Sequence, residues 1–137
     1  MARLSLDARI AVANALITDI GAAAQIALID RSTLNPTDTP TTGVDSETLA
    51  VLTGGNPFAG PPNPANALIT ANGITSATIQ NSGTVQFVRI STSGGTPKLD
   101  LTASATGGGG DIEFTTVSLV ANGQAAISAL TITPGDA

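Results

Sequence analysis

Hydrophobic positions recur at two spacings along this chain. Between Ser5 and Ile20 they fall three and four apart, with Leu6, Ile10, Ala13, Ile17 and Ile20 on one stripe that Val12 and Leu16 widen. That spacing predicts a helix. Ser5 is placed to cap its first turn, Asp7 lies near the positive end of the helix dipole, and Gly21 is a natural stop. Such a helix either packs on its own sheet or forms an arm on a neighbouring subunit. From Gln25 onward the apolar residues come in short runs closer to the period of a strand. The runs predict strands over Gln25–Asp30, Leu49–Thr53, Ala67–Ala71, Ile74–Ile79, Thr84–Ser91, Lys98–Ala103, Ile112–Leu119 and Gln124–Thr133. Thr84–Ser91 carries apolar residues on both faces, which marks a central strand. In Lys98–Ala103, Leu99, Leu101 and Ala103 alternate with Lys98, Asp100 and Thr102, as on a half-exposed antiparallel strand.

Turn residues punctuate these runs. Asn72-Gly73 and Asn122-Gly123 are turn signals, and at Asn72-Gly73 a hairpin competes with a kink or bulge. Ser93-Gly94-Gly95 and Gly107 to Gly110 separate further runs, and a change of phase at Thr115-Thr116 calls for a bulge. Two longer breaks stand apart. Ser32–Glu47 holds Asn35-Pro36, Thr39-Pro40 and Gly43, and Gly54–Asn66 holds Pro57, Pro61, Pro62 and Pro64. The second invites polyproline-like extension. Loops this long inside a compact domain are either packed surface loops, with Leu52 and Phe58 as anchors, or material draped over a partner.

Many short strands with evenly spaced turns predict a mainly β fold, an antiparallel β-sandwich or jelly-roll-like barrel with one N-terminal α-helix. The length of 137 residues fits one domain over 1–137. It divides into an N-terminal arm and helix at 1–24 and a β-sandwich at 25–137, with Pro/Gly-rich loops at 32–48 and 54–66.

Composition narrows the function. Charged residues are 11% of the chain against a usual ~25%, so the surface is Thr, Ser, Asn, Gln and Gly, or much of it is covered. Few repelling charges suit a subunit of an assembly or an adhesin. The net charge is −5, and the cations Arg3, Arg9, Arg31, Arg89 and Lys98 are scattered, which argues against direct nucleic-acid binding. The apolar Ile10–Ile29 stretch contains Asn14, Asp19, Gly21 and Gln25 and reads as a poor membrane span. Asp7 and Arg9 interrupt what a secretory signal would keep apolar, so Sec-type export is not expected.

No catalytic constellation emerges, and no enzyme activity or cofactor is expected. The chain has no His, Cys or Tyr, which closes most routes to general-base catalysis and nucleophile activation. Asp111 and Glu113 could form a carboxylate pair or a weak calcium site, but a solvated strand edge is the simpler reading. Gly107 to Gly110 lacks the Lys-Ser/Thr of a phosphate loop and reads as a hairpin tip. Arg89, inside an apolar strand, calls for an ion pair with a strand carboxylate such as Asp100, a route to the sheet edge, or an interface role.

Four segments resemble a family of small structural proteins of tailed bacteriophages, the head cement or decoration proteins. They are Leu6-Asp7-Ala8-Arg9 to Ala13-Asn14-Ala15-Leu16, Gly83 to Ile90 with Phe87-Val88-Arg89-Ile90, Gly110-Asp111-Ile112, and Leu130-Thr131-Ile132-Thr133-Pro134. Members of that family often carry Trp where this chain has Phe87. The resemblance implies a β-sandwich on the outside of a virion capsid that locks neighbouring major capsid protein subunits, usually as a homo-oligomer (trimer or dimer), made in the host cytoplasm. The alternative is a tail- or fibre-associated virion module recognising a host receptor or glycan. On the capsid reading, the partner-facing residues expected are Arg3 and Leu4 in the arm, Asn35, Pro36 and Pro40 in the first loop, and Pro57, Phe58, Pro61, Pro62 and Pro64 in the second.

Overall fold

A computed structural model describes residues 4–30, 48–109, 112–114, 116–127 and 130–133, and the side chain of Glu113 lies outside that description. The chain is mainly β with one helix, α1, spanning Leu6–Ile20. Ser5 caps α1 as its sequence position requires: its hydroxyl accepts from the Ala8 amide at 3.2 Å. Gly21 ends it with φ of 75°, a left-handed conformation that glycine adopts without penalty, and donates its amide to the Ile17 carbonyl. Ala13 and Ile20 are buried, and Leu16 and Ile17 pack against the same core. Val12 and Leu6 do not join that stripe. They are 42% and 38% exposed, because the buried face of α1 centres on Ala13 and Ile20.

A five-stranded sheet forms the body. Its strands are β1 (Gln25–Ile29), β2 (Thr48–Thr53), β6 (Phe87–Ser91), β7 (Pro97–Ala105) and β8 (Ile112–Phe114), in the order β2-β1-β6-β7-β8. Registers align Leu52, Ile26, Ile90 and Leu99 in one row, and Ala50, Leu28, Val88 and Leu101 in the next. These rows lie on one face because side chains alternate along each strand. Seven of these eight side chains are buried; Leu99 is half-buried against the same core. At ~1.5–3 kcal/mol per large aliphatic side chain, this face is a main source of stability. The other face carries Ala27, Val51, Phe87, Arg89, Asp100 and Thr102.

Thr84–Ser91 does hold a central strand, but the run divides. Gly83–Thr84 is a separate strand, β5, and pairs with Ser118–Leu119 (β9). The phase change after Phe114 has the same origin: β8 pairs with β7, whereas β9 crosses to β5. The β7–β8 pair is parallel, an exception to the antiparallel pattern expected for the whole fold. Only 106–111 link those strands, too few for the dozen or so residues of a helical crossover. The link therefore starts as a tight turn, in which the Gly108 amide donates to the Ala105 carbonyl.

Four further strands come from the predicted runs Ala67–Ala71, Ile74–Ile79 and Gln124–Thr133, the last of which divides in two. Ile69–Thr70 (β3) pairs with Thr131–Ile132 (β11), and Ala77–Thr78 (β4) pairs with Gln124–Ala125 (β10). β3 and β4 are not paired to each other, so Asn72-Gly73 is a kink between two ladders and not a hairpin centre. Segment 75–81 runs along the outer edge of β2: the Thr75 amide donates to the Thr53 carbonyl, and the Gln80 amide to the Leu49 carbonyl. That edge is thereby shielded from pairing with another chain. Phe58, Ile69, Ile79, Val85, Leu130 and Ile132 join the same core as the large sheet.

Candidate interaction surface

Arg89 is the least expected charge in the core region, and its surroundings give it a structural role. It lies directly opposite Asp100 across the β6–β7 ladder. Its guanidinium donates twice to that carboxylate, Nε to Oδ1 at 2.7 Å and Nη2 to Oδ2 at 3.0 Å. This is the fork geometry that suits arginine to a carboxylate. The pair is one of the readings the sequence offered. Asp111 and the side chain of Glu113 lie outside the described residues, as does Gly110 of the glycine run. No group of three or more His, Cys, Asp or Glu poised for a metal occurs among the described residues. No buried side-chain nitrogen or oxygen among them lacks a hydrogen-bond partner.

The expected interface residues fall into three groups. Arg3, Asn35, Pro36 and Pro40 lie outside the described residues. Leu4, Pro57, Pro61 and Pro64 are exposed. Phe58 and Pro62 are buried, and Phe58 is 0% exposed; both are corrected from partner-facing to internal. The physical reason is the folding of 54–68 back onto the body. The Asn72 amide donates to the Phe58 carbonyl, and Ala59 bridges Ala71. Phe58, one of only three aromatic side chains, is worth more in the core than at the surface. Nor does 54–66 extend like polyproline. Asn63 builds a turn, accepting from the Ala65 amide on its side chain and from the Ala67 amide on its carbonyl.

Two of the segments expected to face a partner are joined. The Arg9 guanidinium on α1 donates to the Asn66 carbonyl at 3.0 Å. This places the first turns of α1, with exposed Leu4 and Leu6, beside the proline-bearing segment. At the other end of α1, Asp19 pairs with Lys98 of β7 at 2.9 Å. Between these ties an open depression is lined, among the described residues, by Val12, Asn14, Ala15, Leu16, Thr18 and Asp19 of α1. The sequence carries a signal for it: Ala8, Ala11, Val12 and Ala15 put small and apolar residues among Asn14, Thr18 and Asp19 on the outward side of α1. Val120, beside the Asn122-Gly123 turn, is 69% exposed.

The chain was compared with known protein families, with curated proteins and with solved structures, and no match was found. Among the described residues no helix is long and apolar enough to cross a membrane. The surface can therefore be read only from its own chemistry. It sets Val12, Ala15 and Leu16 among the polar Asn14, Thr18 and Asp19 on one helix, which offers small apolar contacts beside polar ones.

Proposed function

We propose that this protein is a non-enzymatic structural component of a tailed-bacteriophage virion, a cement or decoration protein that binds the outer head surface and stabilises contacts between major capsid protein subunits. The observation that carries the reading is the hydrogen bond from Arg9 of α1 to Asn66, which holds the start of the helix beside the end of the proline-bearing 54–66 segment. The low charge and the resemblance of the α1 and β6 sequences to head cement proteins support it.

Area decides how the surface must work. A helix of 15 residues is about 22 Å long and about 10 Å wide, so one face offers on the order of 200 Å². A stable interface takes roughly 800 Å² from each partner. The helix face alone is too small, and the proline segment beside it must share the contact. Each protein molecule bridging two shell subunits then adds buried area that has to be exposed before they separate. Copies of this chain would associate as a dimer or trimer, which multiplies the contacts made with the shell.

Mixing the purified protein with undecorated mature capsids tests the reading. It should sediment with the particles and raise their melting temperature. A protein that stays in the supernatant and leaves the particles' melting unchanged is not a cement protein.

A further inference from the structure

We propose that Asn72 is a site of spontaneous amide loss, and that the chain's other described Asn-Gly pair, Asn122-Gly123, is shielded from the same chemistry by its turn. The proposal does not depend on the capsid reading. In this reaction the backbone nitrogen after an asparagine, its proton removed by base, attacks the side-chain amide carbon. A nitrogen–carbon bond forms, the bond to the side-chain nitrogen breaks, and that nitrogen leaves as ammonia. Water then opens the resulting succinimide at either carbonyl, giving aspartate or isoaspartate. Glycine is the most permissive following residue because no side chain obstructs the approach or limits the backbone.

The two pairs differ at the nucleophile. All four residues are exposed, but a Cβ added at Gly73 would meet nothing within 4 Å. The Gly73 amide has no hydrogen-bond partner among the described residues. At the second pair, the Gly123 amide donates to the Val120 carbonyl at 3.1 Å. A Cβ there would lie 3.1 Å from that oxygen and 3.4 Å from Ile79 Cδ1. Both asparagines have their own amides bonded, Asn72 to Phe58 and Asn122 to Ile79, and Asn122 is in addition held with φ of 73°. Gly123 nitrogen must give up its bond and turn past the Val120 carbonyl and Ile79 before it can attack, whereas Gly73 nitrogen meets neither obstacle.

The conversion has a structural consequence. The Asn72 side-chain nitrogen donates to the Pro57 carbonyl at 2.9 Å, so the bond holds the leaving nitrogen and not the carbon under attack. A carboxylate at 72 cannot donate, and it would set a negative charge against that carbonyl oxygen. Isoaspartate would in addition lengthen the backbone between the Ala59–Ala71 and Thr53–Thr75 bridges. Gly55 packs there so closely that a Cβ on it would lie 2.9 Å from Asn72 Cβ, which leaves little room to absorb the change. Amide loss at 72 therefore loosens the 55–58 segment.

Ageing the native protein at mildly alkaline pH, followed by peptide mapping with mass spectrometry, tests this. Asn72 should convert several-fold faster than Asn122, and the difference should collapse in the denatured chain. Equal or faster conversion of Asn122 in the native protein would overturn the proposal. So would an unchanged Asn72 under conditions where the denatured chain converts. The N72D variant should show faster amide exchange at Asn72, whose amide bonds to Phe58, than the wild type; unchanged exchange would remove the structural consequence.

Discussion

Arg89 and Asp100 show how a single charged pair is accommodated in this sheet. The Arg89 side chain is 11% exposed and that of Asp100 34%, so the pair is half-sheltered and its geometry matters more than its charge count. Removing Asp100 takes two charge-assisted hydrogen bonds from a sheltered guanidinium. D100A should therefore cost about 1–3 kcal/mol in chemical denaturation, more than a substitution at an exposed strand position such as Thr102. Gly83 is a second point where one residue decides local fit. A Cβ on it would lie 2.6 Å from Asp30 Oδ2 and 2.9 Å from Leu49 Cδ2. Asp30 is occupied as well, accepting from the Thr84 amide at 3.2 Å and from the Gln86 side chain at 3.4 Å. G83A should destabilise by about 1–3 kcal/mol, as overpacking does, and D30A should relieve part of that loss. Additive losses in the double variant would show that the Asp30 contact is not the obstacle. The Arg89–Asp100 pair could be read from sequence because both residues stand out on alternating strands. The closeness of Gly83 to Asp30 could not, since it depends on two segments 53 positions apart meeting in space.

The helix and the long strands were legible because local rules suffice for them. Ser5, the three-and-four spacing and Gly21 define α1, and strict alternation defines β7. S5A should cost roughly 1 kcal/mol through loss of the cap, seen as a lower melting temperature. Leu101 is 6% exposed on the buried face of β7, so L101D should abolish stable folding, measured as loss of the cooperative thermal transition. The short ladders were less legible. Gln124–Thr133 reads as one strand, yet its two ends pair with β4 and β3 on either side of the Asn72-Gly73 kink. Pairing partners far along the chain, and not local pattern, set where such strands break. The parallel β7–β8 pair is a similar case, because nothing in Ile112–Phe114 itself selects a direction. The proline segment misled in a different way. Its composition resembles an extended loop, but burial of Phe58 and Pro62 and the turn at Asn63 fold part of it inward and leave Pro57, Pro61 and Pro64 as its exposed prolines.

At the scale of the whole molecule, one hydrophobic core unites α1, the five-stranded sheet and the small ladders. The long segment 54–66, which composition singled out as partner-facing, is in part internal, and on the proposed reading the outward side of α1 shares that role. This division yields a separable prediction. V12D and A15D change solvent-facing positions of α1, so the isolated protein's stability should move by less than about 0.5 kcal/mol. Capsid binding should nevertheless fall sharply, by co-sedimentation, because each introduces an unpaired charge into an apolar contact. Loss of binding that tracks loss of folding would remove the distinction. The most direct measurement is a density map of a decorated particle into which this fold can be placed. The account predicts density on the outer head surface, with the outward face of α1 and the Pro57–Pro64 segment against major capsid protein. Density confined to the tail, or a particle-bound molecule with that face turned to solvent, would contradict it.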